Sequence, residues 1–118
     1  MKKRTITITI ENGIVYVPNG TRMSIVEIAN LFDIFYQTAK REIRTIEKLG
    51  IASGDATSCT AEGQTICPDY YGLEMVIALA FRVKTAKAEV FRKWIIREVL
   101  KTEASEKLIM FIQNPILN

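Results

Sequence analysis

Apolar and polar residues alternate strictly from Thr5 to Ile10, as Thr-Ile-Thr-Ile-Thr-Ile. A period of two predicts a β-strand with one face on a core and the other in water. Asn12-Gly13 follows, and both residue types tolerate the positive φ that a type I′ turn demands, so a hairpin is predicted. With those two residues as the turn, Glu11 faces Ile14, Ile10 faces Val15 and Ile8 faces Val17, while Thr9 meets Tyr16 on the other face. Pro18 lacks an N–H to donate and ends the return strand.

From Ser24 the period changes. Ile25, Ile28, Ala29 and Phe32 recur at i, i+3, i+4 and i+7, one face of an amphipathic helix. Ser24 and Glu27 have the spacing of a capping box, in which each side chain satisfies the other's backbone amide. A break near Asp33 separates this helix from a second one, from Tyr36 to Leu49, closed by Gly50 because glycine takes a left-handed cap without strain. At about 100° per residue, Tyr36, Ala39, Ile43, Ile46 and Gly50 fall on one side of the second helix, and Gln37, Arg41, Arg44 and Lys48 on the other.

Residues 51–68 lose this periodicity. They are small, polar and glycine-containing, and predict a loop followed by a short hairpin over 57–68 that turns near Glu62-Gly63. The run from Gly72 to Val83 predicts a mostly buried helix with Leu73, Met75, Val76, Leu79 and Phe81 in the core. Lys84-Thr85-Ala86-Lys87 is the expected break before an amphipathic helix over 88–102, with Phe91, Trp94, Ile95 and Val99 on its apolar side. Leu108, Ile109, Phe111 and Ile112 predict a last apolar helix before Pro115, and offer a surface for homodimerisation. The pattern predicts an α+β protein with one domain over 1–118: a β-hairpin (1–18), a helix-turn-helix with a winged-helix-like hairpin (24–71), a block of C-terminal helices (72–101) and an apolar tail (102–118).

Composition narrows the function more than the fold. The chain has 118 residues, 48% of them hydrophobic, enough for one modest core. Its net charge of +3 does not by itself imply nucleic acid. The distribution matters more, because Arg82, Lys84, Lys87, Arg92, Lys93, Arg97 and Lys101 face only Glu89 and Glu98, and Lys2, Lys3 and Arg4 open the chain. The chain has no histidine, which excludes Ser-His and Cys-His nucleophile pairs. Cys59 and Cys67 alone cannot close a structural zinc site. They read as ordinary thiols of a reducing cytosol, the alternative being a bridge across the second hairpin. No glycine-rich phosphate loop follows the strands. Neither an enzyme nor a cofactor is therefore expected. The opening Thr-Ile alternation is no apolar signal core. The Gly72–Val83 run, interrupted by Glu74 and Arg82, is too short to span a bilayer, so a cytoplasmic protein with no membrane segment is expected.

The two helices around Asp33 make a helix-turn-helix candidate. That motif needs a small residue where the helices touch, an apolar residue closing the turn and an apolar inner face, and Ala29, Ile34, Ala39 and Ile43 fill those places. Asp33 stands where a positive φ is needed, and Asp tolerates that region better than most residues. The outer face of the second helix is long, polar and basic, which suits entry into the major groove; the alternative is a solvated face whose charge Glu42 and Glu47 temper. The hairpin that would act as the wing offers no Lys or Arg, only Asp55, Glu62 and Asp69 nearby. Phe35 occupies the place of a small polar cap. Two readings of that turn stay open: aromatics wedge it into the core with Tyr36 beneath the helix, or it is a relic that has lost its groove.

Three stretches carry a resemblance: "ENGIVYVP", "EIANLFDI" and "YYGLEMVIALAFRVKTAKAEVFRKWI". The last places Tyr70, Tyr71, Leu73, Glu74, Met75, Ile77, Phe81, Arg82, Val83, Phe91, Arg92 and Trp94 in a recognisable block. Over residues 8–100 the chain resembles the RhuM-type virulence protein family of bacterial mobile elements, and similar blocks occur in phage antirepressor-like proteins. The family has glycine where Asp33 stands and a small polar residue where Phe35 stands, and relatives are longer. The resemblance implies a DNA-binding fold. The expected partner is double-stranded DNA, bound by a transcriptional regulator. Gln37, Thr38, Arg41 and Arg44 are the candidates for the groove, and Lys40, Lys48, Arg82, Lys84 and Lys87 for phosphates. An antirepressor-like module that binds protein instead of DNA is the alternative.

Overall fold

A computed structural model describes residues 5–54, 59–62 and 65–101. Its elements are β1 (Thr9–Glu11), β2 (Ile14–Tyr16), α1 (Ile25–Phe32), α2 (Tyr36–Lys48), β3 (Cys59–Glu62), β4 (Thr65–Pro68), α3 (Leu73–Ala80) and α4 (Ala86–Lys101). The architecture is α+β: a two-stranded antiparallel hairpin, two helices, a second two-stranded hairpin and two further helices. The apolar tail, the basic start at Lys2, Lys3 and Arg4, Asp55, and Gly63, where the second hairpin is expected to turn, lie outside the described residues.

The first hairpin has the predicted register, with Thr9 opposite Tyr16, Ile10 opposite Val15 and Glu11 opposite Ile14. Asn12 and Gly13 both have positive φ, 51° and 77°, as a type I′ turn requires. The hairpin is shorter than the alternation predicts. Ile8 and Val17 do not extend the ladder; the chain turns at Asn19-Gly20 instead, and Arg22 exchanges both backbone bonds with Ile6, at 2.9 and 2.8 Å. The next residue, Met23, does the same with Tyr71, at 2.9 and 2.8 Å. The segment before α1 thus ties the N-terminal strand to the chain leaving β4, and Met23 and Tyr71 are both buried there.

α1 starts at the predicted capping box. Ser24 Oγ accepts from the Glu27 amide, and the Ser24 amide donates to Glu27 Oε1 at 2.9 Å. Both α1 and α2 end in the same motif. The Ile34 amide reaches back to Ala29 O at 3.0 Å and the Ile51 amide to Ile46 O at 3.1 Å, across Asp33 (φ 57°) and Gly50 (φ 72°). Asp33 therefore performs the left-handed turn that glycine performs at the end of α2, and the helix-turn-helix closes in three residues, 33–35.

Ile28 and Phe32 of α1, Ile43 and Ile46 of α2, Met75, Val76 and Leu79 of α3, and Phe91 of α4 form one core with Ile8 and Ile10. Phe91 stands edge-on to Phe32, with ring centroids 5.7 Å apart, and Trp94 stacks on Phe91 at 5.6 Å. Arg92 Nη1 donates to Ala80 O, which the end of α3 leaves open, and to Val83 O in the loop that follows, at 2.7 and 2.8 Å.

Three expectations are corrected. Phe81 is not core but 54% exposed, because α3 ends at Ala80 and the chain tightens there, with the Arg82 amide bonded to Leu79 O. The break lies at 81–85, not 84–87, because the Thr85 hydroxyl caps α4 by accepting from the Ala88 amide. Val99 is exposed together with Ile96 and Leu100, beyond the reach of the core. In the second hairpin Cys59 stands opposite Pro68 and Cys67 opposite Thr60, so the two cysteines are not cross-strand partners.

Ile43 touches the core from the middle of α2, fully buried. Ile43→Ala is expected to destabilise the fold by about 2–5 kcal/mol, read from the urea midpoint; a loss well under 1 kcal/mol would mean that α2 is not seated as described.

Candidate nucleic-acid interface

Helix α2 carries its chemistry on the side away from the core. Ala39, Ile43 and Ile46 are fully buried, while Gln37, Arg41 and Lys48 are exposed. The three exposed residues share one stripe because 4- and 7-residue steps return to nearly the same azimuth on a helix. The Arg41 side chain is 67% exposed, with Nη2 at 3.9 Å from Glu42 Oε2. Thr38 and Lys40 are half-buried beside this stripe, and Lys40 Nζ sits 5.9 Å from the centre of the Tyr36 ring.

Three of the remaining candidates, Arg44, Arg82 and Lys87, face carboxylates within the protein. Arg44 is only 31% exposed, with Nε at 4.0 Å from Glu47 Oε1. Arg82 Nε donates to Glu42 Oε1 at 2.7 Å, which fastens the α3–α4 loop to the flank of α2. Lys87 Nζ stands 3.8 Å from Asp33 Oδ2, so α4 reaches the turn of the helix-turn-helix. Lys84 is exposed on the loop between them. The structure thus brings Arg82 against α2 and Lys87 against the turn, while Gln37, Arg41 and Lys48 form the open face.

These pairings change the electrostatics of α2. Glu42 has the guanidinium of Arg82 in hydrogen-bonding contact and that of Arg41 nearby, and Glu47 has Arg44. Burial pushes the Glu47 carboxyl above the ordinary glutamate value, and Arg44 opposes part of that rise. Both carboxylates are therefore matched on the flanks, and the outer stripe is net basic.

The turn departs from the first of the two readings that the sequence left open, the aromatic wedge. Phe35 is 83% exposed and Tyr36 40% exposed, so neither wedges into the core and Tyr36 is not beneath the helix. Phe35 is the N-cap of α2 and makes no side-chain capping bond, in contrast to Ser24 at α1. Phe35 was not among the candidate site residues; its mismatch with the cap position was the signal available in the sequence. Among the described residues no group of His, Cys, Asp and Glu is placed to hold a metal ion, and no helix is long and apolar enough to cross a membrane. No family model matches the chain, and no curated protein or solved structure matches it.

The raised Glu47 pKa has a defined sign. The folded state holds the proton more tightly than the unfolded chain, so this group's contribution is present at low pH and is lost as pH rises from the ordinary glutamate range through the raised value. Glu47→Gln should therefore gain stability on the wild type between about pH 4 and about pH 7, measured by urea unfolding at both. An unchanged difference between the two proteins would show that burial does not hold this carboxyl up.

Proposed function

We propose that the protein binds double-stranded DNA through α2, as a small helix-turn-helix regulator. The observation that carries this reading is the disposition of charge on α2: Gln37, Arg41 and Lys48 are exposed, while Glu42 and Glu47 are drawn to the flanks and matched by Arg82 and Arg44. A helix of this shape fits the major groove, with hydrogen-bonding side chains toward base edges and cations toward phosphates. Gln37 and Arg41 are the groove contacts in this reading, and Lys40, Lys48 and Lys84 the phosphate contacts. Arg44, Arg82 and Lys87 support α2 and the turn. The likeness of the Tyr70–Trp94 block to RhuM-type proteins agrees with a regulator carried by a mobile element.

An antirepressor-like module that binds protein is the second reading. Ile14 and Tyr16 favour it, two residues apart on β2 and both largely exposed.

Salt dependence separates the two. Binding to random-sequence duplex, followed by fluorescence anisotropy between about 50 and about 200 mM salt, should weaken steeply, each phosphate contact adding about 0.9 to the log–log slope. Lys48→Ala with Lys84→Ala should weaken binding at all sequences and lower that slope by about 2, whereas Arg41→Ala should relax the preference among sequences. Arg82→Ala should lower stability and leave the slope nearly unchanged. Failure of any duplex to bind at the lower salt would sink the DNA reading.

A further inference from the structure

We infer that Phe35 is a specificity-determining contact of α2, and that it reads the 5-methyl group of a thymine in the major groove. The inference rests on the DNA-binding reading of α2 and names the base chemistry selected at its leading end. Phe35 is the most exposed of the large apolar side chains among the described residues, at 83%. The fold gains nothing visible from it there. It does not join the core, and it occupies an N-cap position, where Ser, Thr, Asp or Asn would satisfy an amide, without making a capping bond. Its backbone is extended, φ −70° and ψ 150°, so the residue stands ahead of the first turn. As the residue before the first turn of α2, Phe35 stands at the end that a second helix inserts into the groove. Tyr36 beside it is also partly exposed, with Lys40 near its ring, so the leading end combines aromatic surface with positive charge.

A phenyl ring has no donor or acceptor for a base edge. The one apolar feature that unmodified base pairs display in the major groove is the methyl group on C5 of thymine. Contact with it removes apolar surface of both partners from water, and neither loses a hydrogen bond. One buried methyl corresponds to about a fourfold change in affinity.

The test starts from the duplex that the wild-type protein selects out of a random library. Each thymine is then replaced in turn by uracil, which removes the methyl and keeps the hydrogen-bonding edge. Wild type should lose about fourfold at one thymine of each contacted half-site. Phe35→Ala should bind the thymine and uracil versions equally, near the wild-type affinity for uracil. Cytosine and 5-methylcytosine at the same position separate the methyl from the rest of the base, and only the methylated form should respond to Phe35. Phe35→Ser supplies the missing polar cap, so it should unfold at higher denaturant than wild type while losing the methyl preference; this excludes misfolding as the cause. Equal losses for Phe35→Ala on thymine and uracil duplexes, or no uracil-sensitive position, overturn the assignment and leave DNA binding standing. Absence of binding to any duplex overturns both.

Discussion

The burial of Ala39, Ile43 and Ile46 is the constraint on which the rest of the molecule depends. These residues seat α2 against α1 and α3, and none is measurably exposed. Burying an isoleucine side chain stabilises by about 1.5–3 kcal/mol, whereas an exposed ion pair contributes about 0–1 kcal/mol. Apolar contact therefore decides how α2 is rotated, and the ion pairs on its flanks adjust to that rotation. Since the faces of a helix are rigidly related, burying one side presents Gln37, Arg41 and Lys48 to solvent as a consequence.

Two devices hold this arrangement at its ends. The left-handed residue at Asp33 turns the chain sharply enough for α2 to cross back over α1, and Lys87 from α4 stands beside that aspartate. Arg92 donates to Ala80 O at the end of α3 and to Val83 O in the loop beyond it, which fixes the loop carrying Arg82 and Lys84. Arg82 then reaches Glu42 on α2. The basic residues of the C-terminal half thus divide into those that brace the helix-turn-helix and those left on the surface, a division that net charge conceals.

Phe35 is where local rules and the fold disagree. A cap position favours a small oxygen-bearing side chain, and exposed surface disfavours a large aromatic one; Phe35 violates both preferences at once. The surrounding structure tolerates it because Asp33 and Ile34 already complete the end of α1, and the Ile43–Ile46 face already anchors α2. Its exposure sits at the end of α2 that leads in the proposed DNA complex.

Much of the fold was legible from short-range pattern. The Asn12-Gly13 turn and its register, the Ser24–Glu27 capping box, the two helices on either side of Asp33 and the closing Gly50 all follow from residues within a few positions of one another, because turn chemistry and helix capping are local. What the tertiary structure decided was partnership across the chain. Ile6 pairs with Arg22 rather than lengthening the hairpin, Met23 pairs with Tyr71, Arg82 with Glu42, and Arg92 with the end of α3. Periodicity names a helix's apolar face but not where that face runs out of neighbours, so Phe81 and Val99 looked like core and are exposed. Sequence alone established that α2 has a basic face; the packing of distant segments decided which side of the helix meets solvent and brought Arg82 to Glu42, because periodicity carries no information about partners far along the chain.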